Sequence, residues 1–211
     1  MNDNFLMESG VAASIIIAVV LLASLIAFAA FSGKIKFFEN KKPQNADEIS
    51  TTLIKALKRF VSLRDCQLLG KTTLCFGGET FTFDAILLSY YGTMAIKSCF
   101  EQGEIYGEAK DEKWCAVDKD GKKTYFANPM DTTNGSVKFF KELYNSEKAK
   151  YGISEAVVVF PAKNTNLFVG KRTEVYSLKA LEEKLVSDKY QQDKGADIEA
   201  MKAALEKYSV K

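Results

Sequence analysis

The chain has 211 residues, with 29 Lys and Arg against 27 Asp and Glu, so its net charge is only +2. That near balance lacks the strong basic excess of a dedicated nucleic-acid binder. It contains no histidine, and its four cysteines (Cys66, Cys75, Cys99 and Cys115) form no close pair. A structural zinc site of the usual ligand spacing is thereby excluded.

Residues 1–10 form a short leader whose charges are Asp3 and Glu8. No charge then occurs before Lys34, and Val11 to Phe31 is almost wholly Val, Ile, Leu, Ala and Phe. About 20 apolar residues match the thickness of a bilayer core, where a helix satisfies its own backbone. Residues 11–32 are therefore expected to be a transmembrane helix. A cleaved signal peptide would start with a basic region and carry a shorter apolar run. Lys34, Lys36, Lys41 and Lys42 follow the run, and positive flanks stay on the cytoplasmic side. The expected location is a cell membrane, crossed once, with the N-terminus outside and the C-terminal domain cytoplasmic. The bilayer itself is the expected partner of the anchor. In a reducing compartment the cysteines read as buried thiols.

Residues 33–45 read as a juxtamembrane linker. Without Asp3 and Glu8 the remainder has a net charge of +4, from +2 plus two lost acids. Its roughly 170 residues suffice for one real core. A first helix is expected after an Asp47 N-cap, with Ile49, Leu53, Leu57 and Phe60 at helical spacing. Strand signals follow at Cys66–Leu69, Thr73–Phe76, Phe81–Ser89, Thr93–Phe100, Glu104–Gly107, Trp114–Val117 and Lys123–Phe126. Glycine-containing turns separate several of them. A second helix is expected from Ser136 to Lys148, then a doubly buried strand at Ala156–Phe160 and a short strand at Glu174–Tyr176. A helix capped by Ser177 follows. Residues 189–211 are set apart as a C-terminal amphipathic helix, centred on Asp197 to Tyr208, which packs on its own domain or docks to a partner or to the membrane surface. The order predicts an α/β fold, a central mixed sheet with helices on both faces.

Several segments in order resemble one family. ADEIS at 46–50, TFDAILLSYYGTMAIKS at 82–98, GEIYG at 103–107, Trp114 and ANPM at 127–130 are the first. VVVF at 157–160 and VYSLKALEEKL at 175–185 complete the set. Together they resemble the NERD (nuclease-related) domain, over residues 46–188. The resemblance implies a restriction-endonuclease-like fold of the PD-(D/E)xK superfamily. In that superfamily an Asp and a Glu on neighbouring strands hold Mg²⁺ or Mn²⁺, a Lys two residues beyond positions water, and an acid from the first helix assists. The metal would polarise the phosphate and supply hydroxide.

Carried over residue by residue, Glu48 takes the helix position and Asp84 the first strand position. The Glu-x-Lys pair has become Lys97-Ser98-Cys99. Thr132 and Ser136 stand where the family has polar groups after Asn128-Pro129. Lys97 is expected to pair with Asp84 or Glu48 and compete with a cation for the same place. No cofactor is expected on that reading; Mg²⁺ or Mn²⁺ would bind at Asp84 and Glu48 if activity survives, with Glu101 or Glu104 as replacement acids. Three functions follow: a lapsed nuclease relative acting as a binding or assembly module, a metal-dependent nuclease with a rearranged site, or an interaction scaffold unrelated to nucleic acid. A nucleic-acid surface would draw on Lys55, Lys58, Arg59, Lys110, Lys113, Lys122 and Lys123. Their ordinary reading is a solvated face.

Overall fold

Apolar spacing and turn chemistry place most elements in the computed structural model, which describes residues 44–170 and 173–210. Helix α1 spans Ala46–Val61, burying Ile49, Leu53 and Leu57 along one stripe. Its N-cap is Asn45, not Asp47. The Asn45 side chain accepts from the Glu48 N–H at 2.8 Å, and Glu48 accepts from the Asn45 N–H at 3.4 Å. A capping box of this kind satisfies two donors that a helix start leaves free.

Strands β1 (Cys66–Leu69), β2 (Thr72–Phe76), β3 (Glu79–Phe83), β4 (Ala85–Ser89) and β5 (Gly92–Ser98) come next. The run expected as one strand from Phe81 to Ser89 is broken at Asp84, where the chain leaves β3 for another sheet. Strands β6 (Gly103–Gly107), β7 (Lys113–Val117) and β8 (Lys123–Ala127) precede α2 (Ser136–Ser146). After β9 (Ile153–Phe160) come β10 (Thr165–Val169), β11 (Val175–Ser177), α3 (Leu178–Val186), α4 (Ile198–Lys207) and β12 (Ser209–Val210). Strands β10 and β12 carry no strong sequence signal and were not expected.

Instead of one sheet, the described strands form three. The main one is mixed and five-stranded, in the order β1-β4-β5-β9-β11, with β5, β9 and β11 parallel. A four-stranded sheet runs β10-β6-β7-β8, and a three-stranded one β12-β2-β3. Alternation on the main sheet sends Ala85, Leu87, Met94, Ile96, Val157 and Val159 against α1 and α3. The opposite face, with Ile86, Leu88, Ala95 and Ala156, packs on α2 and α4. The fold is thus mixed α/β, with helices flanking the sheet as the element order predicts. Helix α4 belongs to that core: Met201 and Leu205 are fully buried, and β12 extends the sheet of β2.

Two glycines are sterically required. A Cβ at Gly92, whose φ is +141°, would lie 1.8 Å from the Ile153 carbonyl oxygen, so only glycine permits this approach of β5 to β9. A Cβ at Gly107 would meet the ring of Trp114 at 2.3 Å. That tryptophan is fully buried and donates to the Glu108 carbonyl at 3.0 Å. Among the described residues no helix is long and apolar enough to cross a membrane. The leader, the expected membrane span at 11–32 and nearly all of the linker lie outside the described residues.

Candidate functional site

The β4–β5 hairpin creates the site. Its register places Ala85 opposite Ile96, so Asp84 and Lys97 are the next pair outward. The Asp84 N–H donates to the Ile96 carbonyl at 2.9 Å. Beyond that point β4 has no further backbone to offer Ser98. The carboxylate of Asp84 substitutes for it, accepting the Ser98 N–H at 2.7 Å. The same oxygen, Oδ2, lies 3.7 Å from Lys97 Nζ, with both side chains mostly buried. Asp84 therefore serves as the end-cap of the β5 ladder and as the ion-pair partner of Lys97.

Helix α1 begins at the same end of the sheet. The Gln44 N–H donates to the Gln102 side chain at 2.9 Å, and Gln102 returns a bond to the Gln44 carbonyl at 2.6 Å. The Lys163 N–H donates to the Gln44 side chain at 3.0 Å. Residues 102 and 163 follow the C-terminal ends of β5 and β9, so Glu48 starts its helix at the end where Asp84 lies. Its carboxylate is engaged in the capping box.

Cys99, which the resemblance would set at the lysine position, faces inward. Cys99 packs beside Ile105, Trp114, Val158 and Phe160, and its Sγ donates to Glu101 Oε2 at 2.8 Å. Burial, joined by the Glu101 carboxylate, pushes this thiol well above the ordinary cysteine range. At neutral pH it is a protonated thiol with no charge to orient water. All four cysteines are free; Cys99 is buried as expected, but Cys66 and Cys115 are half-buried and Cys75 is exposed. The replacement acids are committed elsewhere, Glu101 to Cys99 and Glu104 to the Tyr106 hydroxyl at 2.6 Å. Thr132 and Ser136 spend their hydroxyls on the carbonyls of Pro129 and Thr133, each at 2.6 Å. Among the described residues no group of three or more Cys, Asp or Glu side chains is placed to hold a metal ion.

Asn128, from the Asn-Pro pair, has a structural duty. Buried, it donates to the carbonyls of Ala109 and Asp111 at 3.0 and 2.8 Å and accepts from the Met130 N–H at 3.0 Å. Of the basic candidates, Lys55, Lys58 and Arg59 sit on the exposed side of α1, while Lys110, Lys113, Lys122 and Lys123 lie on or beside the four-stranded sheet.

Two features escaped the sequence reading. One is a charged cluster around Glu155 of β9, whose partners Lys184, Lys189 and Tyr190 lie well beyond that strand in the chain. The other is an aromatic row on the four-stranded sheet; alternation within GEIYG and KTYFA points Tyr106 and Tyr125 the same way, but the unexpected β10 hid Phe168.

Comparison with protein-family models finds a match to the nuclease-related domain, NERD, over residues 45–161. That is 161 − 45 + 1 = 117 of the 211 residues, more than half of the chain. No curated protein and no solved structure matches. The match begins at the N-cap of α1, takes in the Asp84–Lys97 hairpin and the Asn-Pro turn, and ends just past β9. The chain thus belongs to the NERD family, and the matched stretch contains the hairpin, the capped helix beside it and the pinned Asn128 turn.

Proposed function

We propose that this protein is a single-pass membrane-anchored member of the NERD family whose domain acts as a binding or assembly module rather than as a metal-dependent nuclease. The main sheet, with Asp84 entering β4, Lys97 on its antiparallel partner and α1 starting at the same end, corresponds on this reading to the restriction-endonuclease-like core. Residues 11–32 span the membrane, with residues 1–10 outside and residues 34–211 in the cytoplasm.

The observation that carries the reading is the contact between Lys97 and Asp84. Mg²⁺ asks for near-octahedral oxygen ligands, including one or two carboxylates free to face it. Here one Asp84 oxygen already receives a backbone N–H and faces an ammonium at 3.7 Å. A cation entering that space meets a like charge. Glu48 is drawn into its helix cap, and Cys99 contributes a buried neutral thiol. This donor set does not fit a hard divalent ion.

The test is cleavage. The full chain, supplied with Mg²⁺ or Mn²⁺ and with duplex DNA, single-stranded DNA or RNA, is expected to cleave no faster than its Asp84→Ala variant. Metal-dependent cleavage by the unaltered chain that Asp84→Ala abolishes would overturn the reading in favour of a rearranged nuclease. Topology has its own experiment. A cysteine placed at Lys42 is expected to resist a membrane-impermeant thiol reagent on intact cells and to react after lysis. Labelling on intact cells would reverse the orientation.

A further inference from the structure

Among the described residues, the four-stranded sheet has one covered face and one bare one. Ile105, Trp114, Ala116 and Phe126 point inward, against Val158 and Phe160 of β9. By strand alternation their neighbours point outward. The register aligns four of these in one row: Phe168 opposite Tyr106, Tyr106 opposite Cys115, and Cys115 opposite Tyr125. Phe168, Tyr106 and Tyr125 are 53%, 40% and 66% exposed, unusually high for three aromatic rings on one sheet face.

The rings of Phe168 and Tyr106 are stacked, with centroids 4.9 Å apart and planes within 10°. Tyr106 and Tyr125 are separated by the small side chain of Cys115. Two strand spacings put their backbones about 10 Å apart, a gap wide enough for a planar group to enter between the rings. Lys113 and Lys123 point outward from positions two residues from the row. Their strands are antiparallel, so the two lysines flank it on opposite sides. Glu104 is the acid among the outward strand positions, and it is hydrogen-bonded to the Tyr106 hydroxyl. In the adjoining turns Asp111 and Asp118 accept backbone N–H groups of their own turns.

Exposed aromatic rings with lysines on both sides suit an unpaired polyanion with planar bases. Protein interfaces draw on aromatics too, but they are depleted in lysine. A duplex hides its base faces in its own stack, whereas a single strand leaves them open to aromatic side chains. We propose that the outward face of this sheet binds single-stranded nucleic acid, bases stacking on Tyr106, Tyr125 and Phe168 and phosphates lying against Lys113 and Lys123. This rests on the reading of the domain as a binding module and assigns its surface to a face away from the Asp84–Lys97 hairpin.

The test uses the full chain in mild detergent, with EDTA present, and fluorescein-labelled oligo-dT, oligo-U and a duplex followed by anisotropy. Both single strands are expected to bind and the duplex to bind far more weakly. Tyr106→Ala and Tyr125→Ala should each weaken binding roughly 5- to 150-fold, the effect of losing one base–aromatic stack. Joint replacement of Lys113 and Lys123 by alanine should flatten the slope of log K against log salt by about 1.4, from about 0.7 per phosphate contact on a single strand. All of these side chains are exposed, and circular dichroism will verify that each variant is folded. Absence of single-strand binding overturns the proposal, as does binding that the two tyrosine substitutions leave unchanged. Self-association lost in Tyr106→Ala, with no oligonucleotide bound, would instead make the face an interface between copies. EDTA keeps cleavage out of this assay, so cleavage with Mg²⁺ would sink the non-catalytic reading and leave the platform standing. Failure to bind would sink the platform alone.

Discussion

Replacing Glu155 with alanine is expected to destabilise the domain by about 3 kcal/mol, toward the lower end of the range for breaking a buried ion pair from one side. Glu155 lies on β9, with its side chain 16% exposed, 3.1 Å from Lys184 Nζ and 2.9 Å from Lys189 Nζ. The Tyr190 hydroxyl donates to it as well, and Tyr91 donates at 3.3 Å. Lys184, on α3, is 13% exposed and is also 2.8 Å from Glu174 and 2.8 Å from the Tyr176 hydroxyl. The cluster ties α3 and the turn at Asp188–Gln191 to β9, an interior strand of the main sheet. Because Lys184 keeps Glu174, the loss stays near the bottom of the range. In a domain of this size it corresponds to a fall in Tm of roughly 6–12 °C.

Two controls separate the charge from the packing. Glu155→Gln keeps the shape and should cost less than alanine. The pair Glu155→Leu with Lys184→Met replaces both charges by apolar groups and should recover much of the loss. The pH dependence has a definite sign. Burial alone would raise the Glu155 carboxyl, but hydrogen bonds from Tyr190 and Lys189 and the charge of Lys184 outweigh it, and its pKa falls below the ordinary 4.5. A depressed carboxylate stabilises the fold above its unfolded pKa and loses that contribution as pH falls through the folded value. The gap between parent and Glu155→Gln should therefore be full at neutral pH and close in acid. Denaturant unfolding followed by circular dichroism measures both effects. A loss below about 1 kcal/mol would reduce the cluster to solvated surface pairs.

Local signals carried most of the elements. The stripe of Ile49, Leu53 and Leu57, the tight turn before Gly92 and the Asp120-Gly121 turn between β7 and β8 all depend on residues near one another, and each sits where its spacing predicts. The organisation into three sheets was hidden because it depends on partners far apart. Thr165 of β10 pairs with Gly103, sixty-two positions earlier, and Ser209 pairs with Leu74. Neither short strand has enough apolar alternation to announce itself. The break at Asp84 was hidden for another reason: its neighbours Phe83 and Ala85 are both apolar and buried, so periodicity runs through it. The capping residue was misplaced by two positions because Asn45 and Asp47 are both good caps, and only the reciprocal bond from Glu48 distinguishes them. At the candidate site the sequence named Asp84 and Lys97 as a possible pair, which the structure brings together. Cys99 is buried, as the reading of the cysteines as buried thiols expects, but its neighbours there, Ile105 and Trp114 of the second sheet, depend on a packing that local spacing does not show.

That burial decides how the central claim, a lysine standing where a carboxylate would hold metal, is best tested. Converting Cys99 to lysine would force a charge among Trp114 and Phe160, so Lys97→Glu alone is the cleaner change. It turns a repelling charge into an attracting one beside Asp84. For a divalent ion about 4 Å away the difference is about 2–4 kcal/mol between screened and unscreened water, roughly 30- to 1000-fold in affinity. Ions that bind the native state raise its stability. The decisive measurement is thermal unfolding with and without Mn²⁺. The parent is expected to show no Mn²⁺-dependent rise in Tm. Lys97→Glu should unfold earlier than the parent without metal and recover on addition of Mn²⁺, and a further Asp84→Asn should abolish that recovery. A parent protein stabilised by Mn²⁺ through Asp84, or a Lys97→Glu variant indifferent to it, would contradict the account.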